Sequence, residues 1–99
     1  MQTLTKSKII YLLYREKNVV KEQFGVTSIG LFGSFARECQ TNESDIDLLV
    51  DFERPVFDSV VGLQIYLEER FGKKVGIVRN GSHLSQRFRS VIEKNIVYV

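Results

Sequence analysis

Apolar and polar positions follow two different periods along the chain, and the switches between them mark its elements. From about Thr5 to Phe24, Ile9, Leu13, Val20 and Phe24 recur at spacings of four and seven, with Ile10 and Leu12 widening the stripe. That is the pattern of an amphipathic helix, and Gly25 is a suitable stop for it. Val26 to Phe32 (Val-Thr-Ser-Ile-Gly-Leu-Phe) reads as a short buried strand. Gly33-Ser34 breaks the strand, Phe35 to about Cys39 has room for one helical turn, and Gln40 to Ser44 is a polar loop. Ile46 to Phe52 alternates strictly. Ile46, Leu48, Val50 and Phe52 share one face, and Asp45, Asp47, Leu49 and Asp51 share the other. Glu53-Arg54-Pro55 ends this strand, because proline cannot serve an interior ladder. Asp58 is placed to cap a helix running to about Phe71, whose apolar stripe is Val60, Leu63, Leu67 and Phe71. Gly72 stops that helix, and Lys74 to Val78 reads as a third strand. Asn80-Gly81-Ser82 is a turn, with Ser82 as the expected N-cap of a last helix marked by Leu84, Phe88, Val91 and Ile92. Ile96 to Val99 is an apolar tail that docks on the core.

The order α-β-α-β-α-β-α, counting the short turn as helical, predicts an α/β (α+β) fold: a three-stranded mixed sheet with helices packed on it. With 99 residues and no repeat, linker or low-complexity segment, the expectation is a single domain, 1–99, with a small core. The 43% hydrophobic and 26% charged fractions are those of an ordinary globular protein. No apolar run approaches the roughly 20 residues that span a bilayer. The first residues lack a signal-peptide pattern, so no membrane association and a cytoplasmic location are expected. Cys39 is the single cysteine, which excludes an internal disulfide and a cysteine-based zinc site.

A net charge of +2 is too small to argue for nucleic-acid binding. Its distribution says more. Between Glu38 and Asp58 stand seven acids and one base, Arg54; between Arg70 and Lys94 stand seven bases and one acid, Glu93. An acidic middle suits a metal ion and a basic final third suits a polyanion, although both are equally compatible with solvated faces of separate elements.

The chemistry concentrates between Gly33 and Asp47. A strand that ends in Gly33-Ser34 and enters a helical turn suits phosphate: glycine admits an anion close to the backbone, and the free N–H groups of the turn favour negative charge. Asp45 and Asp47, two residues apart on one strand face, have Cα atoms about 6.6 Å apart, so their oxygens can converge on one hard cation.

Gly33-Ser34, ten residues and then Asp45-Ile46-Asp47-Leu48-Leu49-Val50 resembles the signature of the polymerase-beta-like nucleotidyltransferases. The short chain resembles their smallest branch, the minimal nucleotidyltransferase (MNT) domains. The likeness extends through Phe24-Gly25-Val26, Leu31 to Glu38, Ile92-Glu93-Lys94 and Tyr98-Val99. The resemblance implies a nucleoside triphosphate, ATP, as substrate and two Mg2+ ions. Gly33 and Ser34 would grip the terminal phosphates, with Asp45 and Asp47 as metal ligands and catalytic residues. An acceptor hydroxyl would take the nucleoside monophosphate, AMP, and pyrophosphate would leave. Arg37 resembles the family's arginine after Gly-Ser, and either contacts phosphate or pairs with Glu38 or Glu43. In this branch the acceptor is often a HEPN-type helical toxin, which would make this chain its antitoxin. A chain this small leaves such a partner, or a homo-oligomer, to supply the acceptor.

The family's third carboxylate stands on the strand after the central helix, in a pattern near Val-Asp-Leu-Val. The matching segment here is Lys74-Val75-Gly76-Ile77-Val78, with Gly76 in the aspartate's place. Asp51 is about 13 Å along its strand from Asp47, too far to substitute. Glu38 and Glu43 are near enough to swing in, but nothing demands it. The sequence therefore supports a Mg2+-dependent nucleotidyltransferase and, as the alternative, a catalytically degenerate one that binds nucleotide or a HEPN-type partner. His83 reads as a surface or cap residue, Cys39 as inert, and Arg79, Arg87 and Arg89 as either anion contacts or solvated charges.

Overall fold

The first helix forms where its stripe and its caps agree. In the computed structural model, which describes residues 3–54 and 56–99, α1 spans Lys6–Phe24. The Thr5 hydroxyl accepts from Lys8 N–H at 3.2 Å, and Gly25 closes the helix in the left-handed conformation, φ 70°. Ile9, Leu13 and Val20 are fully buried. The remaining elements are β1 (Val26–Phe32), α2 (Gly33–Ala36), β2 (Ile46–Phe52), α3 (Phe57–Phe71), β3 (Val75–Arg79), α4 (Gln86–Glu93) and β4 (Val97–Tyr98). Pro55, expected to end β2, lies outside the described residues.

The sheet has four strands in the order β3-β2-β1-β4, not the three expected. β4 is the apolar tail. It pairs antiparallel with β1, Gly30 opposite Tyr98 and Leu31 opposite Val97, and Val99 N–H extends the pairing to the Ile29 carbonyl at 3.0 Å. Two paired residues are too few to show a period in sequence. Room for them comes from Gly30, where a Cβ would lie 2.6 Å from Ile96 Cδ1. β1 and β2 are antiparallel, β2 and β3 parallel. A bulge between Val26 and Ser28 shifts β1 by one residue, so Val26 joins Ile29 and Leu31 on the helix-facing side.

The larger core lies between this side and helices α1, α2 and α3. It joins Ile46, Leu48 and Val50 to Leu63, Leu67 and Phe71. The opposite face carries a smaller cluster of Phe32, Leu49 and Ile92, closed by Val78, Leu84, Phe88 and Ile96. Phe32 and Phe88 meet edge to face with ring centres 5.9 Å apart. Leu49, on the acidic face of β2, is thus covered by α4. β3 is the edge strand on its side, and α3 seals it. Gln64 Nε2 donates to the Val75 carbonyl at 2.9 Å, and Glu68 accepts from Val75 N–H at 3.0 Å.

Two expected caps are corrected. The N-cap of α4 is Ser85, whose hydroxyl accepts from Phe88 N–H at 3.1 Å, and Ser82 lies in the turn before it. The N-cap of α3 is Val56, with Asp58 inside the first turn and no side-chain cap bond. Asp58 there still faces the positive end of the helix dipole.

Leu48 is fully buried at the centre of β2. Leu48→Ala should cost about 2–5 kcal/mol of unfolding free energy, read from the midpoint of a urea titration. A cost below about 1 kcal/mol would mean that β2 is not the centre of the core.

Candidate functional site

Three strand ends meet at one edge of the sheet. β1 arrives there with Phe32, and β2 and β3, antiparallel to it, start there. Phe32 is opposite Asp47, and Asp47 is opposite Gly76. The turn after β1, the carboxylate of β2 and the start of β3 therefore lie side by side on the face that also carries Leu49 and Val78.

Gly33 turns the chain from β1 into α2 with φ 78°, in the left-handed region that favours glycine. Space requires glycine as well. A Cβ there would collide with Asp47 Oδ2 and lie 3.1 Å from Asp47 Cγ. The turn and the carboxylate thus share one small volume. No side chain caps the first turn of α2, so its leading N–H groups are not spent on a local cap. The chain leaves α2 through Glu38 in the left-handed conformation, φ 57°, with Cys39 N–H bonded to the Ser34 carbonyl at 3.0 Å.

Asp45 is exposed at the mouth of β2, and Asp47 is half-buried. The loop before them is tied down. Thr41 N–H donates to Ser44 Oγ at 2.9 Å, Ser44 N–H to the Thr41 carbonyl at 3.1 Å, and Lys73 Nζ to the Asn42 carbonyl at 3.0 Å. Ile46 N–H joins the Lys74 carbonyl at 3.0 Å, so β3 fixes the start of β2 between the two aspartates.

Comparison with known proteins gives this arrangement a family. The nucleotidyltransferase domain family matches residues 13–99. This chain belongs to that family. It is 38% identical over 100 residues to the protein adenylyltransferase MntA of Thermococcus cleftensis, with all of both chains covered. It is 40% identical over 96 residues to MJ0128 of Methanocaldococcus jannaschii, a candidate protein adenylyltransferase, covering 96% of this chain and 98% of that one. A solved structure of a candidate minimal nucleotidyltransferase has the same fold, with a TM-score of 0.79 at 24% identity and 98% of each chain covered. The fold is also that of the toxin-antitoxin structure with AMP-PNP, at a TM-score of 0.67 and 24% identity, covering 96% of this chain and 72% of that one. It recurs in the complex of an AMPylated Shewanella oneidensis HEPN toxin with its MNT antitoxin, at a TM-score of 0.58 and 23% identity, covering 99% and 71%.

At the mouth of β2, Asp47 is a perturbed group. Burial, and then the neighbouring charge of Asp45, raise its pKa above the ordinary carboxylate value. A carboxyl group with a higher pKa folded than unfolded holds its proton better in the folded state. Its ionisation therefore costs stability as pH rises from the unfolded pKa through the folded one, and the cost is complete above the folded pKa. Without added metal, Asp47→Asn should melt higher than the wild type at pH 7, and the difference should vanish toward pH 3. Thermal melts across that range check it, and equal melting temperatures at pH 7 would contradict it.

Arg37 pairs with neither Glu38 nor Glu43. Its Nε leans back toward the Gly33 carbonyl at a weak 3.5 Å, and Glu38 instead meets Lys6 at 3.8 Å. The guanidinium is exposed at the rim of the turn. Arg89 is structural: it donates to Asn80 Oδ1 at 3.0 Å and to the Gly81 carbonyl, fastening α4 to the loop after β3. Arg79 and Arg87 are exposed, as are His83 and Cys39. Asp51 lies toward the far end of β2, opposite Ser28. Sequence reasoning missed Lys73, whose tie to Asn42 helps hold the aspartate loop; a lysine after a helix-ending glycine carries no signal of that role. Among the described residues, no helix is long and apolar enough to cross a membrane.

Proposed function

We propose that this chain is a Mg2+-dependent nucleotidyltransferase that moves AMP from ATP to a hydroxyl of a HEPN-type partner protein, acting as that partner's antitoxin. The observation that carries the reading is the collision of a Cβ at Gly33 with the Asp47 carboxylate. It supports a phosphate turn and a metal ligand built as one unit. The relatives support the type of transfer, since MntA is a protein adenylyltransferase. An MNT antitoxin in complex with an AMPylated HEPN toxin supports the class of acceptor.

The residues present fit a divalent ion brought with a nucleotide. Asp45 and Asp47 are hard oxygen donors on one strand face, as Mg2+ prefers. Bound there, the ion would draw charge from the phosphate oxygens and favour departure of pyrophosphate. The backbone of Gly33 and Ser34 would hold the terminal phosphates, and the Ser34 hydroxyl would add a donor. Arg37 would swing from the Gly33 carbonyl to the outer phosphate. In the transfer, the acceptor oxygen bonds to the α-phosphorus as the bond to the bridging oxygen of pyrophosphate breaks. A single domain over 1–99 suffices for these roles, and the partner supplies the acceptor.

A second reading has its own observation. Gly76 stands opposite Asp47 and contributes no carboxylate, which supports a degenerate member that binds nucleotide or a partner without turnover. One experiment separates the two. The protein, ATP labelled on the α-phosphate, Mg2+ and the product of an adjacent reading frame are mixed, and label on that product is followed. Label with the wild type supports the enzyme. No label with the wild type, but label with Gly76→Asp, supports the degenerate reading.

A further inference from the structure

The face around Asp47 is asymmetric. On one side it is packed: Phe32 is its strand partner, and the Gly33 turn leaves no room even for a methyl group. On the other side it is open. A Cβ added to Gly76 would meet one atom within 4 Å, Asp47 Oδ1 at 3.3 Å. A side chain at position 76 would therefore point at the Asp47 carboxylate across the parallel β2–β3 pair. A second cation bridged from Asp47 would need an anion on that side, and among the described residues none is placed there.

Among the described residues no other acid fills the gap. Among the described residues, no three His, Cys, Asp or Glu side chains gather as a ligand set. Glu68 reaches β3 from α3, but its carboxylate accepts from Val75 N–H at the outer edge of the sheet. Glu38 is exposed and meets Lys6 at 3.8 Å. Glu43 is exposed in the loop tied to Lys73. The Asp45–Asp47 pair and the phosphates of a bound nucleotide supply oxygens for one ion. Mg2+ keeps water in the rest of its shell but gains little affinity from water alone.

We infer that this chain binds one divalent cation, delivered with the nucleotide, and that the second ion of a two-metal site has no place until position 76 carries an acid. This rests on the nucleotidyltransferase reading above and narrows it. Mn2+, which is paramagnetic and accepts the same oxygen donors, is the probe. Titrated into the protein saturated with a non-hydrolysable ATP analogue and followed by electron paramagnetic resonance, it should bind at about one ion per chain in the wild type. Gly76→Asp should bind about two, with spectral broadening from a spin-coupled pair. Gly76→Asn, similar in shape but neutral, should stay at one ion and shows whether a side chain there is tolerated by the fold. Two coupled ions in the wild type would overturn the inference while leaving the nucleotide site intact. One ion in Gly76→Asp, with analogue affinity and melting temperature unchanged, would also overturn it. Failure of the wild type to bind the analogue at all, with or without Mn2+, would defeat the nucleotide reading itself and this inference with it.

Discussion

Asp47→Ala should reduce nucleotidyl transfer to the partner at least about 100-fold, because even groups that merely orient a metal ligand cost about 10–100-fold when removed. Three features place Asp47 at the centre of the site. It is half-buried between the fully buried Ile46 and Leu48 of β2, it is the residue that Gly33 makes room for, and its pKa is raised by burial and by Asp45. The fold should survive, since Asp47 lies outside both apolar clusters. Label transfer is measured beside a thermal melt. Transfer within a few-fold of wild type would remove Asp47 from the machinery. If the wild type proves degenerate, the same variant is read on nucleotide affinity with and without Mg2+, and the metal-dependent part of that affinity should vanish.

Gly33→Ala should lower nucleotide affinity by tenfold or more, and the chain contains its own control. An L-residue in the left-handed region costs about 1–2 kcal/mol. Gly25 has nearly the same backbone, φ 70° against 78°, but nothing lies within 4 Å of a Cβ there. Gly25→Ala therefore reports backbone strain alone and should leave nucleotide binding unchanged. Gly33→Ala adds the collision with Asp47, which must move the carboxylate or the turn. Calorimetric titration of an ATP analogue into both variants separates the effects. Equal affinities in the two would show that the close contact between turn and carboxylate has no bearing on binding.

The elements were largely legible because local rules agree along this chain. The stripe Ile9, Leu13, Val20 and the stop at Gly25 bound α1, and strict alternation bounds β2. Where local signals were weak or competed, tertiary packing chose. Ser82 and Ser85 are both plausible caps by composition; Ser85 wins because α4 must begin where Phe88 and Ile92 can cover Phe32 and Leu49. Asp58 is a good capping residue, but α3 starts one position before it. β4 carries too short a pattern to read, and it exists because Gly30 leaves space for Ile96 and the tail.

The site divides in the same way. Residue types and spacing along the chain mark Gly33, Ser34, Asp45 and Asp47 as one group, because a turn and two carboxylates on one strand face are local patterns. Sequence also locates the missing acid at Gly76, once the family pattern is laid along β3. It does not say what these residues do to one another, because strand register is a long-range property. The antiparallel pairing of β1 with β2 and the parallel pairing of β2 with β3 put Phe32, Asp47 and Gly76 in one row, with the Gly33 turn against the Asp47 carboxylate. That row presses Asp47 against the turn on one side and leaves it open on the other. The Gly33-Ser34 turn and the Asp45–Asp47 pair were thus written in the chain, and the packing of three strand ends decided that they lie together, with one side of Asp47 open.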